Sequence, residues 1–287
     1  MIVAWSAGNA GASLGLLVAM LTLGTALPQA VRAAGGELSW QGVVLTSSVL
    51  ALVAGLGVFL LGDGPQRKLV ARRPVRWGSA LSVFKDGAFR ACAIGYFGHM
   101  WELYAFWASV PLLVRAALSP TAGTVAATSV AMWSFVVIAS GAVGCIVAGR
   151  LSRRFGSPWV AAAALAGSGT VCLVYPFVSR LGPWPALAAL VAWGILVIAD
   201  SAQFSAIAAR TCPPEAVGSA LAIQNSLGFA VTVASITLVS VTAPTLGSAV
   251  SWILLPGPVI GLVFFRRLLR RDSVGKAAAI PERRKGQ

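Results

Sequence analysis

The stretch VAATSVAMWSFVVIASGAVGCIVA, from Val125 to Ala148, runs 24 residues without a charged side chain. Wound as an α-helix at ~1.5 Å per residue it reaches about 36 Å, enough to cross a hydrocarbon core of about 30 Å. Comparable runs recur on both sides of it. They lie at approximately Ala12 to Val31, Gly42 to Leu61, Ala88 to Val114, Pro158 to Val178, Pro185 to Ala209, Glu215 to Val241 and Ala249 to Leu269, so the expected fold is all-α, a polytopic transmembrane bundle of about eight helices. Ser157 before Pro158 reads as an N-cap with proline at the first helical position, and Pro213 with Pro214 can open a helix but not continue one.

Composition agrees with that reading. Of 287 residues, 57% are hydrophobic and 10% charged, and the mean hydropathy is +0.83. An ordinary soluble domain carries about a quarter charged residues, so this class is excluded. The net charge of +14 could suggest a nucleic-acid partner, but its distribution argues against one. Nineteen of the 22 basic residues fall between Arg67 and Arg90, at Arg150, Arg153 and Arg154, at Arg210, or from Arg266 to Lys285. Alternate loops are thus basic, which places both termini in the cytoplasm and the expected partner is the lipid bilayer. No cleavable leader is legible, so the first helix is expected to act as an uncleaved signal.

Cys92, Cys145, Cys172 and Cys212 are scattered singly with no metal-ligand spacing, and are expected to be buried free thiols. No HExxH, GxSxG or paired-Asp motif is present, so neither enzyme chemistry nor a metal or other cofactor is expected.

Chemistry is expected where charge sits in oil. A carboxylate at the centre of a membrane helix costs roughly 2.5–3.5 kcal/mol on insertion scales. Glu102 lies mid-span within Gly95-Tyr96-Phe97-Gly98-His99-Met100-Trp101-Glu102-Leu103-Tyr104, and Asp200 within Ile198-Ala199-Asp200-Ser201-Ala202-Gln203-Phe204-Ser205. Tyr96, His99 and Glu102 share one helical face, as do Asp200 and Gln203. One of the two acids is expected to take up and release a proton, with His99, the single histidine, beside the pathway. Trp101, Tyr104 and Trp107 form an aromatic stripe, and Gln224 and Asn225 begin a polar stretch of the seventh span. With Tyr96 and Gln203 they are candidates for lining a solute cavity. The plainer alternative for every polar group here is helix-to-helix hydrogen bonding. Gly11 with Gly15, and Gly141, Gly144 and Gly149, suit close helix packing.

The loop Gly149-Arg150-Leu151-Ser152-Arg153-Arg154-Phe155-Gly156 resembles the G-x-L-x-D-R-x-G-R signature of the major facilitator superfamily of secondary transporters. Gly149, Leu151, Arg154 and Gly156 match it; Arg153 stands where the family usually has Asp, and Ser157 where a basic residue is common. Leu23 to Pro28 is similar to the fifth helix of such a transporter, 62–87 to its central cytoplasmic loop, and Pro213 to Gly218 to the loop before its eleventh helix. The resemblance implies that 1–61 holds the last two helices of an N-terminal half, 62–87 the linker, 88–269 a six-helix C-terminal half and 270–287 a basic cytoplasmic tail. It implies a proton-coupled transporter of a small solute in a bacterial inner membrane, monomeric when full length, with Gly149 to Gly156 as the gating loop. With the first four helices of the family's twelve missing, the alternative is a membrane fragment without transport of its own.

Overall fold

The computed structural model describes residues 10–35, 39–61, 82–122, 126–213 and 216–283, and every regular element among them is helical. They form α1 (Ala10–Gly35), α2 (Trp40–Leu61), α3 (Gly87–Ala122), α4 (Ala127–Phe155), α5 (Ser157–Val178), α6 (Pro183–Val197), α7 (Ser201–Thr211), α8 (Val217–Leu246), α9 (Ser251–Leu254) and α10 (Pro256–Arg283). Most of the expected linker, 62–81, lies outside the described residues, as does the Glu215 boundary.

Among the described residues six segments are long and apolar enough to cross a membrane: Ser13–Gly35, Trp40–Leu61, Ala127–Phe155, Ser157–Leu181, Pro183–Thr211 and Val217–Leu269. The difference from the eight expected runs has two causes. The helix α3 is long enough, but Arg90, His99, Glu102 and Arg115 dilute its apolar character. The segment Val217–Leu269 is continuous in hydropathy yet folds back through a 3-10 turn at Gly247–Val250, giving α8 and α10.

Local chemistry sets the helix ends. Asp86 opens α3, its Oδ1 accepting the backbone N–H of Ala88 at 2.8 Å and of Phe89 at 2.9 Å, an N-cap that satisfies two orphan donors. At the start of α5 the cap is Gly156, not the expected Ser157, with Pro158 inside the first turn. Gly156 holds φ +89°, which the sharp return from α4 requires and a side chain would resist. At the chain's end the helix runs on to Arg283, well past the expected limit at Leu269.

Small residues let helices touch backbone to backbone. A Cβ on Gly15 of α1 would lie 3.0 Å from the Cys145 carbonyl and 3.3 Å from the Gly149 Cα. A Cβ on Gly144 would run into the Ile195 carbonyl, and one on Gly194 into that of Val137, so α4 and α6 interlock reciprocally. Ser140 adds a hydrogen bond from Oγ to the Val191 carbonyl at 3.2 Å. In lipid, where the hydrophobic effect gives helices no reason to associate, such close contact supplies the packing energy. By contrast α2 buries only Val43 and leaves Leu45, Leu52 and Phe59 exposed.

The interior holds two large apolar clusters and a small third one of Ala148, Val160, Ala164 and Ala199. Of the large two, one gathers Phe106, Leu113, Tyr175, Leu190 and Trp193; the other gathers Phe89, Tyr96, Leu165, Phe204 and Phe265. Between them, on consecutive turns of α3, α5 and the α6–α7 segment, lies a layer of buried polar groups: His99, Glu102, Ser168, Asp200 and Gln203.

Candidate functional site

The two buried acids occupy this layer in different ways. Glu102 projects from α3 towards α5 and α6 and is 1% exposed. Trp193 donates its indole N–H to Oε1 at 2.7 Å, Cys172 donates its thiol to the same oxygen at 3.2 Å, and Ser168 donates Oγ–H to Oε2 at 2.9 Å. Three helices are thereby tied together through one carboxyl group. Charge-assisted bonds of this kind contribute about 1.5–3 kcal/mol each, and they offset the several kcal/mol that burying a carboxylate costs. Every donor is neutral and every one is fixed in a packed wall: Trp193 stacks on Phe106 at 4.4 Å and near Tyr175 at 5.9 Å.

Asp200 is held otherwise. The helix expected to run unbroken through it stops at Val197, turns through 198–200 and resumes at Ser201. The turn is tightened, with Ala199 N–H bonded to the Leu196 carbonyl at 3.2 Å and Ser201 N–H to the Ile198 carbonyl at 3.1 Å, the spacing of a 3-10 turn. Asp200 caps the restart through its own carbonyl, which accepts from Gln203 and Phe204. The Cys145 thiol supplies a partner for the Ile198 carbonyl at 3.7 Å, and the Cys92 thiol one for the Phe204 carbonyl at 3.4 Å. So the cysteines, expected to be plain buried hydrophobes, also serve as donors to the polar layer.

The partner of the Asp200 carboxylate is His99. Nδ1 lies 2.8 Å from Oδ1, both residues being about 1% exposed. The two side chains are thus in direct polar contact, while Nε2, the far imidazole nitrogen, has no hydrogen-bond partner among the described residues. Tyr96 at 6.0 Å and Phe204 at 5.7 Å flank the imidazole ring. Buried polar groups are almost always satisfied, so an imidazole nitrogen without a protein partner beside a buried carboxylate makes the pair a candidate for a role besides packing.

The other candidates divide. Tyr96 is buried against α8, where a Cβ on Gly228 would meet its ring at 2.6 Å. Gln203 is buried one turn after Asp200, and Gln224 of α8 is 1% exposed with Oε1 unpartnered. Asn225, next to it, is exposed. The aromatic stripe does not act as one wall. Tyr104 stacks edge-on with Trp107 at 5.3 Å and Phe229 at 5.4 Å. Trp101 turns away to donate to the Ile253 carbonyl at 2.9 Å and lines a separate apolar cavity of about 330 Å³ with Phe97 and Gly257. The expected gating loop is helical instead: Gly149 to Phe155 form the last turns of α4, with Gly149 buried at the α1 contact and Leu151, Arg153 and Arg154 exposed, and Gly156 alone makes the turn into α5. Nothing local in the sequence marks Ser168 or Trp193, or marks Cys172 as more than a buried thiol; only the fold brings the three to Glu102.

No curated protein matches the chain. Among solved structures it is similar to the E. coli fucose:proton symporter FucP, at 18% sequence identity and a TM-score of 0.55, the match covering 78% of this chain and 53% of that one. The chain thus spans about half the length of that structure, and at this identity the likeness speaks for the fold. The sequence pattern of the Major Facilitator Superfamily matches residues 1–236, most of the chain. Helical architecture, paired small-residue contacts and family pattern converge, and the chain belongs to the Major Facilitator Superfamily.

Proposed function

We propose that the chain is part of a secondary transporter that couples a small solute to protons, and that the coupling group is the His99–Asp200 pair. The observation that carries this reading is the placement of the pair, buried and 2.8 Å apart, at a helix break. Discontinuous helices with ionisable groups at the break are where membrane transporters bind ions. The fucose:proton symporter to which the fold is similar is itself coupled to protons, and lends the reading support.

The chemistry follows from counting protons. With one proton shared, imidazole and carboxyl together are neutral, or an internally compensated ion pair, and the layer carries no net charge. Without it, a carboxylate faces a neutral imidazole and the buried site is anionic, which the low-dielectric interior disfavours. The loaded pair can therefore sit in a closed, dry layer, whereas the unloaded pair calls for water. Movement at the 198–200 turn is the means by which the layer would open to one side. Glu102, saturated by three neutral donors, serves in this reading to fix α3, α5 and α6 around the site. Gln203, Gln224 and Tyr96 are the groups placed to meet a solute. The end of α4 from Gly149 to Phe155, with the Gly156 turn, would act as the gate, and the basic segments would face the cytoplasm of a bacterial inner membrane.

The test is uptake by proteoliposomes holding the chain, across a panel of small solutes, under an imposed pH gradient. Gradient-driven accumulation of a solute that Asp200→Asn and His99→Gln abolish supports the reading. Undiminished accumulation by both variants overturns the assignment. Movement of no solute at any gradient favours the alternative of a membrane fragment without transport of its own.

A further inference from the structure

Away from the polar layer, a groove of about 640 Å³ opens where the last turns of α4, the first turns of α5 and the end of α6 meet. Its walls are apolar: Val147, Leu151, Phe155 and Trp159 line it and are each 42–46% exposed. Its floor is the small buried cluster of Ala148, Val160, Ala164 and Ala199. One charged side chain lines it, Arg154, which is exposed beside the Phe155 ring with its guanidinium 5.2 Å from the ring centroid. Arg150 and Arg153 lie exposed on the same turns, and no described carboxylate pairs with Arg154. The first backbone N–H groups of α5 open at the same end, since the earliest bond of that helix's first turn is Val160 N–H to the Gly156 carbonyl at 3.3 Å.

We propose that this groove is a binding site for an anionic phospholipid, with one acyl chain in the apolar trough and the phosphate on Arg154. Each part of the groove excludes a competitor. A free phosphate or a soluble phosphate ester leaves the apolar walls uncovered. A zwitterionic lipid covers the walls, but carries its own cation into a field of three arginines, where like charges repel. An anionic headgroup satisfies both parts, and the groove volume falls within the range of lipid- and ligand-sized sites. Positive-inside placement of the arginine loop sets the site in the cytoplasmic leaflet, where anionic lipids supply a matching charge. The site touches the proposed machinery at one point. Ala199, part of the floor, directly precedes Asp200, so a bound chain packs against the 198–200 turn.

Trp159 in the wall makes the site readable by fluorescence. The full chain is reconstituted in bilayers containing bromine-labelled phosphatidylglycerol or bromine-labelled phosphatidylcholine, and the Trp159 contribution is taken as the difference from Trp159→Phe. The native chain should show apparent affinity for the anionic lipid about five-fold above that for the zwitterionic one, as one arginine near a membrane surface provides. Arg154→Gln should remove the preference while quenching persists. Ala163→Phe, which fills the trough from an exposed wall position, should reduce quenching by both lipids. Equal quenching of the native chain by the two lipids overturns the proposal, as does a preference that survives Arg154→Gln. Displacement of the labelled phosphatidylglycerol by inorganic phosphate alone also overturns it, since the apolar trough would then contribute nothing.

Discussion

Replacing Glu102 with Gln tests which buried acid carries the proton. The carboxamide is nearly isosteric, so its Oε1 keeps the Trp193 bond at 2.7 Å and the Cys172 bond at 3.2 Å. Its amide nitrogen then faces Ser168, whose hydroxyl has a second acceptor in the Leu165 carbonyl at 3.2 Å and can turn to it, leaving Oγ free to accept. All three contacts survive, but each falls from charge-assisted to neutral, a loss of about 1 kcal/mol apiece. Against that total of about 3 kcal/mol stands the removal of several kcal/mol of carboxylate desolvation. The two nearly cancel, and Glu102→Gln should sit within about 1 kcal/mol of the native protein. Trp193→Phe has no such compensation. It strips one charge-assisted bond and leaves a gap beside Phe106, which together should cost about 2–4 kcal/mol.

The assay uses what the protein already contains. All four cysteines are free and buried, so a thiol-reactive fluorogenic dye reports unfolding on heating, with a shift of roughly 2–4 °C per kcal/mol expected for a chain of this size. In parallel, infrared difference spectra across a pH step follow carboxyl protonation. Glu102→Gln should melt near the native temperature and keep the pH-dependent carboxyl signal, while Asp200→Asn should lose that signal. A stable Glu102→Gln protein without the signal would refute the assignment and make Glu102 the proton carrier. A loss of more than about 3 kcal/mol in the same variant would refute the bookkeeping of the three bonds.

Asp200→Asn and His99→Gln should each lower gradient-driven solute accumulation by about a hundred-fold, the scale of a positioned proton-transfer group, in the proteoliposome assay. Gly144→Ala drives a methyl into the Ile195 carbonyl and should destabilise the protein by about 1–3 kcal/mol. Gly24→Ala, with nothing within 4 Å of the added carbon, should stabilise helix α1 by up to about 1 kcal/mol; dye-detected melting compares the two. Backbone amides at 198–201 should exchange hydrogen faster than those at the centre of α5, as mass spectrometry of deuterated peptides would show, because the tightened turn there replaces regular helix bonds. Equally slow exchange in both segments would argue against movement at the turn.

How much of this was legible beforehand depends on the distance over which the cause acts. The membrane spans were, since a run such as Val125 to Ala148 needs no partner to declare itself. The polar stretch of α3 was also legible, because an acid in oil is conspicuous wherever its neighbours lie. The division of labour was not. Three-residue spacing put His99 and Glu102 on one face, but that face meets α5, α6 and the α6–α7 turn, and a single turn of helix separates residues that end up with wholly different partners. The break at 198–200 was hidden too, as Ile198, Ala199 and Asp200 contain neither proline nor glycine. Contacts from outside the segment support the turn: the Cys145 thiol of α4 adds a second partner to the Ile198 carbonyl, which Ser201 N–H also reaches.

That arrangement bears on why the chain tolerates a break at all. Regular helix would satisfy every backbone group between Leu196 and Phe204 from within, and in lipid each carbonyl left without a partner costs several kcal/mol. A turn placed there merely to pack would be removed by any substitution that restored the helix, at a gain in stability. The turn instead comes with a distant cysteine, Cys145, bonded to its Ile198 carbonyl, and with the one histidine of the chain set 2.8 Å from its carboxylate. Glu102 shows that this bundle can satisfy a buried acid completely when satisfaction is all that is required. In the proposed reading an acid of equal burial, set at a local break against the one histidine of the chain, is there to exchange a proton, where Glu102 is there to hold three helices together.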